Sequence, residues 1–192
     1  MVGGYTGDDP QRNEIMFYVL IVLAAAARFL PHPPNVACVG ALGLLAGCHL
    51  AGRRAWVVPI AVMLGSDVIG QWFRLPGMGF YSPVVMSGVY AGMLASVPAG
   101  RWLRDRNGIA NRTFAALIAS TLFFLVSNLA VWAGGWYAPT PTGLVTCFVA
   151  ALPFFGFTLI GDQVFAHLLL GLPNLSLVRA SSKDGRTVVA AA

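Results

Sequence analysis

The sequence predicts an all-helical integral membrane protein that crosses the bilayer six times. Of its 192 residues, 57% are hydrophobic and only 10% are charged, whereas a soluble globular domain averages about 25% charged residues. The mean hydropathy is correspondingly high, at +0.74. Because one crossing needs about 20 apolar residues, a chain of this length has room for about six crossings and little else.

Clusters of proline, glycine and arginine divide the apolar sequence into six runs. They cover residues 13–30, 35–52, 55–73, 83–103, 113–134 and 143–170. Helices are expected because lipid-exposed backbone must satisfy its hydrogen bonds internally, and the two-residue alternation of a barrel strand is absent. The predicted organisation is an N-terminal segment over 1–12, one six-helix transmembrane domain over 13–172 and a tail over 173–192.

Basic residues predict the orientation of these spans. The first 14 residues hold two aspartates and a glutamate against one arginine, so they lack the basic region of a signal peptide and the first span is expected to be retained. With the N terminus in the cytoplasm, ten of the 12 Lys and Arg residues fall on the inner side, and only Arg28 and Arg74 fall outside. The positive-inside rule therefore places both termini in the cytoplasm, in the cytoplasmic (inner) membrane of the cell.

Polar residues inside or just outside the apolar runs are the candidate binding residues. Asp67 falls near the middle of the third span, where an ionisable group is costly and normally faces the bundle interior. The others fall between the midplane and the predicted outer face: Arg28, His32, Asn35, Arg74 and Asn128. We expect them to form a polar cluster beneath the outer loops.

Each of these residues also has a purely structural interpretation. Asp67 with Arg28 or Arg74 could form an ion pair that only holds helices together, and Asn128 could bond neighbouring helices. His32 could be a solvated loop residue. Prolines 33 and 34 make Asn35 suitable as the cap of the second helix, which would explain that turn without any site.

Aromatic residues surround the same predicted outer loops and include two further candidate binding residues, Tyr81 and Trp132. Aromatic belts at the membrane interface would account for them. An aromatic-walled cavity with a few convergent polar groups is also how small-molecule sites are built. The glycine-rich loop over 74–82 could then close over a ligand.

Enzyme signatures are absent from the sequence. It has no nucleophile elbow, zinc-protease motif, P-loop or dinucleotide fingerprint, so we expect no catalysis and no cofactor. Asp162 could line an inner exit or cap the bundle, and Cys38, Cys147 and His32 are too scattered to predict a metal site. The net charge of +5 follows from basic loops beside the membrane, which favours lipid headgroups over nucleic acid as the partner.

Small residues recur every four positions in two spans. Gly43, Gly47 and Ala51 do so in the second span, and Gly88, Gly92, Ser96 and Gly100 in the fourth. This spacing allows helix backbones to approach closely in lipid. Packing within the chain is the expected use, and docking of a partner subunit is the alternative.

Four stretches carry a resemblance to known proteins: ARFLPHPPNVACVGALGLLAG, SDVIG, FFLVSNLAVW and GLVTCFVAALPFFGFTLIGDQVF. Over most of residues 25–170 the chain resembles a family of small bacterial six-span membrane proteins with no assigned activity. By architecture it also resembles the S components of energy-coupling-factor (ECF) vitamin transporters, which implies an S-component-like bundle and a transporter-module partner. S components that couple to an ATPase module often carry alanines four apart in the first helix. The chain departs from that pattern, because Ala24 to Ala27 are followed by Arg28 and Phe29.

The predicted function is capture and transport of a small polar, vitamin-like metabolite from the outer face. The residues expected to bind it are Arg28, His32, Asn35, Asp67, Arg74, Tyr81, Asn128 and Trp132. One rival interpretation is a structural or assembly subunit of a membrane complex, with no ligand of its own. The other is a membrane enzyme acting on a lipid or redox substrate.

Overall fold

The computed structural model describes residues 18–19, 21–23, 25–26, 28–29, 39–75, 78–80, 82–106 and 108–183. The described residues between 18 and 26 are helical, and Arg28 and Phe29 follow in a turn. The later elements are α1 (Val39–His49), α2 (Arg54–Phe73), α3 (Pro83–Leu94), α4 (Ser96–Trp102), α5 (Ile109–Val131), a π-helical turn (Trp132–Trp136) and α6 (Pro141–Lys183). No strand occurs among the described residues, so the all-helical prediction is confirmed for them.

Four helices in the described part of the chain are long and apolar enough to cross a membrane. They are Arg54–Phe73, Pro83–Trp102, Ile109–Trp136 and Pro141–Gly171, and they match the last four predicted spans. The first predicted span lies partly outside the described residues. The described part of the second is α1, an apolar helix of 11 residues, which is shorter than a full crossing.

Capping residues set the starts of two of these helices. Ser82 accepts a hydrogen bond from the backbone N–H of Val85 at 3.5 Å, with Pro83 at the first helical position. Thr140 accepts one from Gly143 at 3.1 Å, with Pro141 next to it. A hydroxyl cap followed by proline is favoured at helix starts, because the side chain satisfies a backbone donor that the helix leaves open.

The short helix α1 is the centre of the bundle. Residues 40–47 are all buried, as expected for a helix that is apolar on every side. Its leucines pack against residues of α4, α5 and α6, among them Val97, Ala116 and Leu170. The core of the protein therefore forms around α1, and the longer helices enclose it.

The small-residue stripes are used for packing within the chain. A Cβ atom at Gly47 would lie 2.2 Å from the carbonyl oxygen of Val97, and one at Gly100 would lie 2.2 Å from that of Leu44. On α3, a Cβ at Gly88 would lie 2.1 Å from the Cβ of Ala130. The expectation of internal packing is confirmed for these glycines, since their faces are covered by α1, α4 and α5.

Candidate functional site

A buried ion pair links the N-terminal segment to α2. Asp67 is 3% exposed, and its Oδ1 lies 3.0 Å from Nη2 of Arg28. The phenol of Tyr90, on α3, donates a hydrogen bond to Oδ2 of the same carboxylate at 2.7 Å. Three parts of the chain therefore meet at one carboxylate, with a positive charge on one oxygen and a neutral donor on the other.

The second terminal nitrogen of Arg28 is also directed at α2. Its Nη1 donates to Oγ of Ser66, and it lies 3.4 Å from the carbonyl oxygen of Met63 and 3.0 Å from the sulfur of the same residue. The side chains of Arg28 and Asp67 are 10% and 5% exposed. The guanidinium is thus held by two adjacent turns of α2 as well as by the carboxylate.

In the Arg28–Asp67 cluster the two opposite charges are paired with each other, and the polar groups are hydrogen-bonded within the protein. Within the described part of the chain, every buried side-chain nitrogen and oxygen has a hydrogen-bond partner. Charge-assisted bonds of this kind are stronger than neutral ones, and removing one charge leaves the other buried and uncompensated. A ligand could reach these groups only by replacing a bond that the protein already makes.

A second buried carboxylate, Asp162 on α6, lies against the first described turn of α1. It is 1% exposed and accepts hydrogen bonds from Oγ of Ser120 at 2.7 Å and from the backbone N–H of Ala41 at 3.3 Å. A Cβ at Gly40 would lie 2.5 Å from its Oδ2. Asp162 therefore caps the first described turn of α1 from a neighbouring helix, a role that the sequence did not predict.

An open pocket lies at the C-terminal end of α5, around the π-helical turn. It has a volume of about 560 Å³ and is lined by Trp132, Ala133, Gly135, Trp136, Tyr137, Ala138 and Pro139. The indole N–H of Trp132 donates to the carbonyl oxygen of Ala138 at 3.0 Å, and Gly135 takes a positive φ of 82° within the π-helical turn. None of these lining residues belongs to the Arg28–Asp67 cluster, so the pocket and the ion pair are separate features.

A family model described as a family of unknown function (DUF6580) matches residues 9–183. The chain belongs to this DUF6580 family. No curated protein and no solved structure matches it. The region shared with DUF6580 includes Arg28, Asp67 and Asp162, and hence both buried carboxylates.

The other predicted binding residues of this DUF6580 chain have different surroundings. The side-chain amide of Asn128 donates to the carbonyl oxygen of Phe124, within the same helix, at 2.8 Å. The backbone carbonyl of Asn128 accepts from the thiol of Cys147 at 3.4 Å. Arg74 is exposed and ends α2 with φ 52°. His32, Asn35, Tyr81 and Cys38 lie outside the described residues, so the structure leaves their predicted roles as predictions.

Sequence reasoning missed three hydroxyl groups of the buried clusters. Ser66, Tyr90 and Ser120 each bond a charged side chain. Ser66 could have been inferred from its position beside Asp67. A tyrosine or serine within an apolar run is common, and only the packing of one helix on another reveals which of them faces a carboxylate.

Proposed function

We propose that this DUF6580 protein captures a small polar, vitamin-like metabolite at the outer face of the cytoplasmic membrane and passes it inward. The observation that carries the proposal is the buried Arg28–Asp67 pair with Tyr90, in which Asp67 and Tyr90 lie within two apolar helices that are each long enough to span a bilayer. Ionisable residues inside membrane segments are costly and mark substrate or ion pathways.

The cost of this pair is the reason to assign it a function. Well-packed apolar residues of similar volume often serve stability as well as a buried ion pair does, or better. A bundle that needed only cohesion could therefore use leucine and methionine at positions 67 and 28. In our proposal the pair is a closed gate. Donor groups of the metabolite bond the carboxylate of Asp67 in place of Arg28 and Tyr90.

The same proposal includes the topology. We propose six spans with both termini in the cytoplasm, as in the S components of ECF transporters. In this topology the helical residues between 18 and 26 belong to the first span, and the apolar helix α1 belongs to the second. The four longer helices are the remaining spans. The aromatic pocket around Trp132 would then lie at the outer face and serve as the route toward the pair.

The alternative of an assembly subunit was based on the small-residue stripe of the fourth predicted span, and the glycines of that stripe are covered by other parts of the same chain. Gly88, Gly92 and Gly100 lie against Ala130, Phe123 and Leu44 of the same chain. A partner could dock there only by displacing α1 or α5. The transport proposal therefore accounts for more of the described structure than the docking proposal does.

The proposal predicts that Asp67→Asn loses a ligand that the natural protein retains. Native mass spectrometry of the purified full chain, isolated from its own membranes in mild detergent, should reveal a bound small molecule. Asparagine keeps the shape of the side chain but removes the negative charge that the metabolite's donor groups would bond, so ligand occupancy is expected to fall at least tenfold. Size-exclusion chromatography and a melting curve would establish that the variant is folded.

Asp105→Asn is the matched control, because it makes the same chemical change at an exposed residue. It should retain the ligand at the level of the natural protein. Equal ligand occupancy in both variants, or a natural protein with no bound molecule after growth in rich and minimal media, would contradict the proposed function.

A further inference from the structure

Five exposed arginines gather at one end of the helical bundle. They lie at the start of α2 and at the end of α4, or in the connections beside these ends, and are Arg53, Arg54, Arg101, Arg104 and Arg106. Asp105 is the acidic residue in the same two segments. We name these five residues the arginine face. Five positive charges with one acidic neighbour give this end of the bundle a positive potential that attracts anions.

Hydrogen bonds from arginine side chains to backbone carbonyls hold the end of α4 against the end of α1. Arg101 donates from Nη2 to the carbonyl oxygen of Gly52 at 3.1 Å. Arg104 donates from Nε to the carbonyl oxygen of Gly47 at 3.1 Å, and from Nη2 to that of Leu50. These bonds anchor the segment after α4 to the end of α1. Two members of the arginine face, Arg101 and Arg104, are consequently positioned by specific contacts.

Two tryptophans fix the depth of the arginine face relative to the bilayer. The guanidinium of Arg101 lies 5.1 Å from the ring centroid of Trp56, and that of Arg106 lies 5.5 Å from that of Trp102. Trp102 also contacts the ring of Phe114, with centroids 6.0 Å apart. Tryptophans at the ends of membrane helices sit at headgroup level, so the stacked guanidinium groups lie where lipid phosphates are.

We propose that the arginine face is a binding site for anionic phospholipids, which it holds by the phosphate of the headgroup. Guanidinium groups bond phosphate through paired N–H donors, and the bonds to backbone carbonyls occupy only part of the donors of Arg101 and Arg104. A lipid suits the site better than a soluble phosphate compound because the apolar surfaces of α2 and α5 continue directly from it. Exposed examples are Val57 at 58% and Ile109 at 74%.

This site is independent of the proposed transport function. It contains none of the residues of the Arg28–Asp67 cluster and requires no particular orientation in the membrane. It also goes beyond the general excess of basic residues on one side, because it assigns the binding to five named residues, three of which are held by contacts with backbone carbonyls or tryptophan rings. Arg74 serves as the contrast, since it is exposed at the opposite end of α2.

Lipid titration of the purified full chain tests the proposal. Phosphatidylglycerol and phosphatidylcholine with identical acyl chains would be added in detergent, and the bound lipid counted by native mass spectrometry. We expect phosphatidylglycerol to bind preferentially, and Arg53→Gln/Arg54→Gln to weaken its binding about 25-fold, because each basic residue at such a surface contributes about fivefold. Binding of phosphatidylcholine should not change.

Arg74→Gln is the matched control and should bind phosphatidylglycerol as the natural protein does. Arg106→Gln provides a second, single-charge test, with an expected loss of about fivefold. The pair Arg101 and Arg104 is left intact because it anchors the backbone, and melting curves confirm that each variant is folded. Equal binding of the two lipids, unchanged binding in both arginine variants, or displacement of phosphatidylglycerol by millimolar inorganic phosphate would overturn the proposal.

Discussion

Asp67→Ala is expected to lower the free energy of unfolding by about 3–5 kcal/mol, because it removes one partner of a buried ion pair. Arg28 would keep its bond to Ser66 and its contacts with Met63, but its charge would have no counterion in an apolar setting. The phenol of Tyr90 would lose its acceptor as well. Unfolding in mixed micelles with increasing fractions of a denaturing detergent measures the difference.

Replacing all three side chains of the cluster distinguishes the cost of leaving one buried charge unpaired from the contribution of the intact pair to stability. The combined variant Arg28→Met/Asp67→Leu/Tyr90→Phe leaves no unpaired polar group at the site, so it should regain most of the stability that Asp67→Ala loses. Asp105→Ala, at an exposed position, should change stability by no more than about 0.5 kcal/mol. An Asp67→Ala variant as stable as the natural protein would show that the pair contributes nothing to the fold.

A stable combined variant would also bear on function. If the fold tolerates an apolar cluster, the charges are not needed for cohesion, and their presence requires another explanation. Ligand retention by the same variant would then be the decisive measurement. Loss of ligand with full stability favours the gate that we propose, whereas full retention contradicts it.

Hydropathy predicted the four long helices closely because the thickness of the bilayer fixes how many apolar residues each needs. The predicted limits 55–73 and 83–103 lie close to Arg54–Phe73 and Pro83–Trp102. The same signal could not separate α1 from a lipid-facing span. A central helix and a membrane span are both apolar on every side, and only their length and packing differ.

Part of the candidate site could be predicted by the same logic and part could not. Asp67 stood out because a carboxylate within an apolar run is rare. The choice between Arg28 and Arg74 as its partner was open, since both end spans on the same predicted side. In the structure Arg74 is exposed at the end of α2, whereas Arg28 reaches the turns that hold Met63 and Asp67.

Gly100→Ala is expected to destabilise the bundle by about 2–3 kcal/mol, because the added methyl group collides with backbone. Its Cβ would lie 2.2 Å from the carbonyl oxygen of Leu44 and 2.9 Å from the carbonyl carbon. Neither atom can move without shifting α1, which is packed on all sides. Gly65→Ala is the matched control, since a Cβ there meets nothing within 4 Å, and it should be neutral or stabilising by up to about 1 kcal/mol.

A second glycine tests whether this loss arises from separating α1 and α4. A Cβ at Gly47 would lie 2.2 Å from the carbonyl oxygen of Val97 and 3.0 Å from Cα of Gly100, so Gly47→Ala should push the same two helices apart. Once one methyl group has separated them, the second costs less, and Gly47→Ala/Gly100→Ala should lose less stability than the two single losses combined. Strict additivity in the same unfolding assay would instead mean that each methyl group acts locally, and that the α1–α4 contact does not move as a unit.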